Sequence, residues 1–222
     1  MARTGPEIEP VDADHRGGHV PDNRPTVFVV DDDARVRESL RLLVDSAGWR
    51  PETFASGPEF LARSRTMTPN CLVLDVVLPE LSGSDLQTLV ADRPEMPIIF
   101  ISGHGDVPVV VRAMKAGAVD FFTKPFAADA LLAAIGNAIG RSRAVLTDAD
   151  GMRGLRDRYE SLTRREREVM ALVVTGRLNK QVGGTLGISE VTVKAHRGQM
   201  MRKMKAGSLA DLVGMATRLG HG

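Results

Sequence analysis

Polar residues able to take part in phosphoryl transfer follow four short apolar segments of this 222-residue sequence. In chain order they are Asp31, Asp32 and Asp33, then Asp75, then Ser102, and finally Lys124. Clustered carboxylates repel one another and resist ionisation unless a cation lies among them. Carboxylate oxygens are also the ligands that Mg²⁺ takes from proteins. The pattern therefore predicts an acidic magnesium site, provided that the fold brings these segment ends together.

Asp75 is the candidate acceptor of a phosphoryl group at such a site. A carboxylate can attack phosphorus while the metal and nearby cations offset the charge of the transferred group. Asp31, Asp32 and Asp75 would hold the metal. Lys124 would neutralise one phosphate oxygen, and Ser102 would donate a hydrogen bond to another. Taken singly, an acidic run is usually a solvated turn and a lysine usually lies at the surface, so the interpretation depends on the ordered set.

Strands and helices alternate five times between residues 25 and 140. The strands are predicted at Thr26–Val30, Arg50–Phe54, Cys71–Leu74, Ile98–Ile101 and Ala118–Phe122. The intervening helices are predicted at Ala34–Ala47, Gly57–Ser64, Gly83–Asp92, Val107–Lys115 and Ala127–Gly140. This alternation is typical of a five-stranded, doubly wound parallel sheet with helices on both faces. Ligands of such α/β folds lie outside the carboxyl ends of the strands, where the polar residues fall.

The remaining segments predict three further units. Residues 1–24, rich in Gly, Pro and Asp, are interpreted as a flexible arm. Residues 141–160 are interpreted as a linker that is helical in part. Residues 161–222 predict a small all-α domain with helices at Arg164–Val174, Lys180–Leu186, Glu190–Met204 and Ser208–Leu219. Thr163 and Glu166 predict a capping box, and the later helices have as N-caps Asn179, Ser189 and Ser208.

Charge is divided unevenly along the chain. Residues 25–140 contain ten Lys or Arg and fifteen Asp or Glu, whereas residues 141–222 contain sixteen and eight. An acidic unit joined to a basic one suggests separate partners, with nucleic acid as the candidate partner of the basic unit. The single Cys excludes an internal disulfide and a multi-cysteine zinc site. No apolar run approaches the roughly 20 residues of a membrane span, and no secretory signal begins the chain, so we expect a cytoplasmic protein without a membrane partner.

Four long segments resemble two-component response regulators of the FixJ/NarL type. They are VVDDDARVRESL, CLVLDVVLPELSG, ISGHGDVPVVVRAMKAGAVDFFTKPF and LTRREREVMALVVTGRLNKQVGGTLGISEVTVKAHRGQMMRKMKAGS. The resemblance extends over about residues 25–216. It implies a flavodoxin-like receiver domain at residues 25–140 and a LuxR-type helix-turn-helix DNA-binding domain at residues 161–222.

The resemblance also implies a function in transcription rather than enzymatic turnover. Asp75 would accept a phosphoryl group from the phosphohistidine of a sensor histidine kinase. Phosphorylation would favour a homodimer through a surface near residues 107–140 and would control sequence-specific binding to promoter DNA. The remaining implied partner is RNA polymerase. Activation and repression both stay open, with activation the commoner outcome in this family.

Further details of the receiver site follow from the same resemblance. The backbone carbonyl of Val77 would be a Mg²⁺ ligand beside the three carboxylates, and Lys124–Pro125 would be a cis peptide. Ser102 and Phe121 would form a switch in which the hydroxyl moves toward the phosphoryl group and the aromatic ring follows. Many relatives have a polar side chain where this chain has Val77, which predicts slow hydrolysis of the phosphorylated state.

The second helix of the helix-turn-helix motif would enter the major groove of DNA. Family geometry places nearest the bases Lys194, Ala195 and Gly198. The residues expected at phosphates are Lys180, Thr192 and Arg197, and His196 could face either the core or DNA. Gly183 and Gly184 lie where relatives favour larger residues, and each costs ~1 kcal/mol relative to Ala in a helix.

Two other functions compete with this interpretation. A phosphatase of the haloacid dehalogenase type also uses a strand-end Asp, Mg²⁺ and a Lys, but it needs a second Asp where this chain has Val77, which cannot transfer protons. No Walker A or dinucleotide-binding glycine motif follows any strand. The other alternative is a receiver that acts only through protein partners, with a degenerate tail. A steep salt dependence of DNA binding would argue against that alternative.

Overall fold

The structure, a computed structural model, describes residues 23–103 and 105–221. The predicted arm, residues 1–24, lies almost entirely outside the described residues. Within them the element order follows the predicted alternation of strands and helices, and then continues with helices alone.

The sheet contains five parallel strands in the order β2-β1-β3-β4-β5. They are β1 (Thr26–Val30), β2 (Arg50–Phe54), β3 (Asn70–Asp75), β4 (Ile98–Ser102) and β5 (Asp120–Thr123). Every residue of β1, β3 and β4 is buried, which explains why these central strands are continuous apolar runs between their polar end residues rather than alternating. This strand order is the flavodoxin-like one, and the predicted doubly wound fold is confirmed.

Five helices cover the two faces of the sheet. They are α1 (Ala34–Ser46), α2 (Gly57–Leu61), α3 (Gly83–Leu89), α4 (Val107–Lys115) and α5 (Ala128–Glu160). Side chains alternate between the faces along β1, so Val27 and Val29 pack with α1 and α5, whereas Phe28 and Val30 pack on the side of α2, α3 and α4.

Helix α5 is much longer than the sequence predicted. The expected end was Gly140, but one helix of 33 residues continues through residues 141–160, the segment interpreted as a partly helical linker. Thr147, Asp148 and the two glycines of this stretch are weak helix formers, which favours a break. Tertiary packing overrides this local preference, because Leu146 and Leu155 are both buried.

Ser142 fixes α5 to the edge of the sheet where the strands begin. Its fully buried hydroxyl accepts a hydrogen bond from Asn70 N–H at 2.9 Å and donates one to the carbonyl of Glu95. Asn70 begins β3 and Glu95 lies shortly before β4, so one side chain ties the helix to two neighbouring strands.

We expect Ser142→Ala to lower the free energy of unfolding of the receiver by about 1–3 kcal/mol, because two backbone groups lose their buried partner. The measurement is chemical denaturation followed by fluorescence of Trp49, the only tryptophan of the chain. Ser46→Ala is the matched control, since the exposed Ser46 hydroxyl also bonds a backbone carbonyl, that of Leu43. Equal losses of unfolding free energy in both variants would contradict the proposed role of Ser142 in fixing α5 to the sheet.

The C-terminal unit contains α6 (Arg164–Val173), α7 (Asn179–Leu186), α8 (Glu190–Met204) and α9 (Leu209–Arg218). Its core also takes Leu155 from α5. Ser189 and Ser208 cap α8 and α9 as predicted, and Thr163 and Glu166 form the predicted capping box of α6. The predicted N-cap Asn179 is wrong, because α7 begins at Asn179 and Leu178 is its N-cap, with the Leu178 N–H bonded to the Gln181 side chain.

The two glycines of α7 differ in what surrounds them. A Cβ atom at Gly183 would lie 2.7 Å from the carbonyl oxygen of Ile188, in the turn between α7 and α8. A Cβ atom at Gly184 would meet nothing within 4 Å. Gly183 therefore permits close approach of the two helices, whereas nothing in the structure explains Gly184.

Candidate functional site

The acidic turn after β1 is held by hydrogen bonds from its own neighbourhood. Asp31 is completely buried, and its Oδ1 accepts from the N–H of Asp33 at 2.9 Å. Asp33 in turn caps α1 through Arg35 N–H, whereas Asp32 is exposed. The guanidinium of Arg37 donates to the backbone carbonyls of Asp31 and Asp32 at 2.7 and 2.9 Å. Arg37 thereby positions the turn without occupying a carboxylate.

Lys124 joins the turn to the neighbouring strand. Its Nζ lies 2.6 Å from Asp31 Oδ2 and 2.6 Å from Asp75 Oδ2. Burial lowers the pKa of Lys124, but the hydrogen bonds to the two carboxylates outweigh this, so its pKa is raised. Burial raises the pKa of Asp31, and the hydrogen bond from Lys124 offsets this only in part. A cation close to Asp31 would offset the burial that raises its pKa.

The donor set fits a hard divalent cation. Asp31, Asp32 and Asp75 each offer an oxygen, and these ligand atoms lie within 4.8 Å of one another. Oxygen ligands of this kind suit Mg²⁺, which retains part of its water shell and needs few protein ligands. The exposed Asp32 leaves one side of the cluster open to solvent.

Asp75 lies at the end of β3 in a tightly packed loop. Its side chain is almost fully buried, and its Oδ1 accepts from the N–H of Val77 at 2.9 Å. A Cβ atom at Gly83 would lie 2.4 Å from the Asp75 carbonyl oxygen, so the start of α3 can pass behind the strand end only with glycine there. The side chain of Val77 is 64% exposed beside the site.

The two residues expected to form a switch lie on neighbouring strands. Ser102 is buried at the end of β4, and its carbonyl accepts from the Lys124 N–H at 2.7 Å. Phe121, on β5, is half-buried and packs against Phe100, with ring centroids 6.3 Å apart. Lys124–Pro125 is a cis peptide, as the resemblance implied.

The helix-turn-helix motif consists of α7 and α8. Val193, Met200 and Met204 turn into the core, while α7 and α8 meet at the left-handed Gly187. Of the residues expected at DNA, four are exposed, namely Lys180, Thr192, Lys194 and Ala195, and two are half-buried, namely His196 and Arg197. Gly198, expected near the bases, is exposed as well.

Three of these side chains already have partners within the motif. Arg197 donates to Asn179 Oδ1 at 3.2 Å, Lys194 lies 3.3 Å from Glu190 Oε1, and the Thr192 hydroxyl lies 2.8 Å from that of Ser189. The Arg197 contact connects α7 to α8. An arginine has five N–H donors, so this contact leaves others for a phosphate.

Two residues that matter for the receiver site escaped the sequence prediction. Arg37 lies one turn inside α1, where a basic side chain looks like an ordinary exposed helix residue. Gly83 looked only like a helix start. A basic residue shortly after an acidic turn and a glycine shortly after a strand-end Asp are the signals that could have identified them.

The sequence matches two family models. One is the response regulator receiver domain, over residues 27–136, and the other is that of the bacterial regulatory proteins of the luxR family, over residues 160–216. No helix in the described part of the chain combines the length and apolar character that a membrane crossing requires.

Curated relatives match over most of their length. The response regulator protein TmoT of Ectopseudomonas mendocina is 46% identical over 202 residues, which are 90% of this chain and 92% of that protein. Nodulation protein W of Bradyrhizobium diazoefficiens is 47% identical over 207 residues, 92% of this chain and 91% of the relative. The transcriptional regulatory protein FixJ of Rhizobium meliloti is 41% identical over 198 residues, 89% of this chain and 97% of the relative.

Solved structures agree with these matches. The response regulator StyR superposes with a TM-score of 0.81 at 46% identity, covering 88% of this chain and 99% of its own. Full-length FixJ from B. japonicum gives a TM-score of 0.51 at 39% identity, covering 88% and 97%. The chain therefore belongs to the two-component response regulators that join a receiver domain to a LuxR-type helix-turn-helix domain.

Proposed function

We propose that phosphorylation of Asp75 by a sensor histidine kinase controls dimerisation and sequence-specific DNA binding by this regulator. The observation that carries the proposal is the position of the Lys124 ammonium, 2.6 Å from both Asp31 and Asp75. This cation lies beside the carboxylate that would become an acyl phosphate. The proposed units are the receiver, residues 25–140, and the DNA-binding domain, residues 161–222, joined by residues 141–160.

The residues of the receiver would share the work of phosphoryl transfer. Asp75 Oδ attacks phosphorus, and the bond from phosphorus to the imidazole nitrogen of the kinase breaks as the new P–O bond forms. Lys124 exchanges its contact with Asp75 for one with a phosphoryl oxygen. Ser102 turns its hydroxyl toward another phosphoryl oxygen, and Phe121 follows inward against Phe100.

Mg²⁺ is the cofactor proposed for this step. Asp31, Asp32, Asp75 and the carbonyl of Val77 would hold it, and when bound it supplies positive charge to the transferring oxygens. Lys124 already offsets part of the negative charge between Asp31 and Asp75, so the site needs only one further cation.

Dimerisation would use the exposed side of α4 and its neighbours. Val107, Val111 and Met114 are exposed by 71%, 44% and 42% on a single helix.

In the dimer, two copies of the basic domain would reach two half-sites of promoter DNA, with Lys180, Thr192 and Arg197 at phosphates. We propose RNA polymerase as a further partner and activation of transcription as the outcome. The proposed location is the cytoplasm, where promoter DNA is accessible.

Catalytic turnover as a phosphatase is the less favoured function. The general acid that such an enzyme needs would stand at position 77, where the exposed valine cannot transfer a proton. We therefore propose a regulator and not an enzyme.

The test treats the full chain with acetyl phosphate in the presence of Mg²⁺ or of EDTA. Intact mass spectrometry measures phosphoryl transfer, light scattering after size exclusion measures oligomeric state, and retention of random-sequence duplexes measures selective DNA binding. The proposal expects one added phosphoryl group, a dimer and selective binding with Mg²⁺, and none of these with EDTA. Phosphorylation without a change in oligomer or DNA binding would refute the proposed coupling.

The exposed valine beside the site should affect the lifetime of the phosphorylated state. We expect Val77→Asn to lose its phosphoryl group several-fold faster than the wild type, because an amide can orient the attacking water. The measurement is the decay of phosphorylated mass after acetyl phosphate is removed. Leu89→Asn, another exposed apolar residue, is the control, with a side chain 55% exposed. Unchanged or slower decay in Val77→Asn would count against this role.

A further inference from the structure

The outward face of the recognition helix α8 carries an exposed apolar side chain. Val191, in the first turn, is 76% exposed. Val193, two residues later, is fully buried, and two residues on a helix point about 200° apart. Val191 therefore lies on the side of α8 directly away from the core of the domain.

The same face continues with residues that cannot form side-chain hydrogen bonds. Ala195 and Gly198 follow Val191 at spacings of four and seven, which places all three on one side of the helix. Both are exposed, and a Cβ atom at Gly198 would meet nothing within 4 Å. Methyl groups and bare backbone thus form the outward side of the first turns of α8.

Between Glu190 and Gly198, charged residues flank this apolar face rather than occupying it, and the next residue on the face is the exposed Arg202. Lys194 is 63% exposed and paired with Glu190, also on the first turns of α8. A single exposed valine is ordinary on a protein surface. In a recognition helix, however, the N-terminal residues of the outward face are those that meet base edges in the major groove.

We propose that Val191, assisted by Ala195, reads the 5-methyl groups of thymine. Thymine is the only base that presents a methyl group in the major groove, and apolar side chains recognise it by contact. The absence of side chains at Gly198 lets the helix backbone approach closely enough for this contact. The Lys194 ammonium has three N–H donors, so its ion pair with Glu190 leaves others for guanine O6 and N7, and each half-site would combine methyl contacts with a guanine contact. The inference rests on the proposed DNA-binding function.

The test uses deoxyuridine, which lacks only this methyl group. Full-length protein treated with acetyl phosphate and Mg²⁺ first selects duplexes from a random-sequence library. The selected duplex is then synthesised with deoxyuridine in place of each thymidine, one position at a time. For the wild type we expect at least one position per half-site at which the change weakens binding about fourfold, the value of one buried methyl group.

The variants assign the effect to a residue. Val191→Ala should bind the thymidine and deoxyuridine duplexes equally at that position. Leu178→Ala, which truncates a side chain that is 70% exposed at the start of α7, should keep the wild-type preference. Circular dichroism of each variant checks that the exposed substitution leaves the fold intact.

Three results would overturn the inference in different ways. Selective binding that no deoxyuridine substitution weakens would refute methyl reading while leaving the DNA-binding function standing. A preference for thymidine that survives in Val191→Ala would refute the role of this residue. Failure to enrich any duplex would refute the DNA-binding function and, with it, the inference.

Discussion

Asp75→Asn should gain no phosphoryl group from acetyl phosphate under conditions in which the wild type gains one. An amide is neither a nucleophile toward phosphorus nor an anionic metal ligand, so both proposed roles of Asp75 are lost. The measurement is intact mass across a time course. The same variant should stay monomeric and should show no increase in selective DNA binding.

The fold should tolerate this change. Burial is the main cause of the raised pKa of Asp31 and the negative charge of Asp75 adds to it, so removing that charge relieves a repulsion between the two carboxylates. Asp92→Asn is the matched control, because the side chain of Asp92 is 72% exposed outside the site. A phosphoryl group on Asp75→Asn would place the acceptor at another residue.

Glu166→Ala should lower the free energy of unfolding of the DNA-binding domain by about 3 kcal/mol, at the lower end for breaking a buried ion pair. Glu166 is 1% exposed, and its Oε2 accepts from Lys203 Nζ at 2.7 Å and from the Thr163 N–H at 2.8 Å. The variant leaves both donors without this acceptor. Lys203 is 36% exposed and regains some water, which limits the loss.

Hydrogen exchange of the backbone amides in α6 and α8 measures this effect within the domain. Glu168→Ala is the matched control, because Glu168 pairs with Arg164 and Arg165 at the surface and should cost no more than about 1 kcal/mol. Equal losses of unfolding free energy in the two variants would show that the Glu166–Lys203 pair stabilises the domain no more than a surface ion pair does.

The pair also makes the stability of the domain depend on pH. Burial alone raises the pKa of Glu166, but the hydrogen bonds from Lys203 and the Thr163 N–H outweigh this and hold the pKa below its ordinary value of 4.5. The stabilisation is therefore fully present above about pH 4.5 and is lost as the pH falls through the lower pKa of the folded state. Glu166→Ala should lack this component of acid unfolding.

The sequence predicted the sheet well because its signals are local. Buried strands such as Thr26–Val30 and Ile98–Ile101 are continuous apolar runs, and parallel topology then brings their carboxyl ends to one edge. The proximity of Asp31 and Asp75 follows from that topology. The bridging position of Lys124, which lies 93 residues from Asp31, needed the structure to give its distances.

The errors have a common physical origin in contacts between distant residues. Helix α5 continues past Gly140 because Leu155 is buried in the C-terminal core, although its own sequence favours a break. Asn179 has the composition of an N-cap, yet its amide oxygen accepts from Arg197 of the next helix. The partners of Ser142 lie 47 and 72 residues away, beyond the range of any periodicity.

Because α5 is one unbroken helix, the number of residues between the two domains determines the angle through which one domain is rotated relative to the other. The helix enters the receiver core at Leu131 and the C-terminal core at Leu155, so each residue added or removed between Leu146 and Leu155 would turn one domain about 100° relative to the other. Only insertions close to whole numbers of turns, such as about seven or eleven residues, would preserve the direction in which α8 faces. In this regulator, the number of residues in α5 between the two domains also sets their relative orientation. That number should therefore be restricted to values that differ by nearly whole helical turns, and not only by the distance that the helix spans.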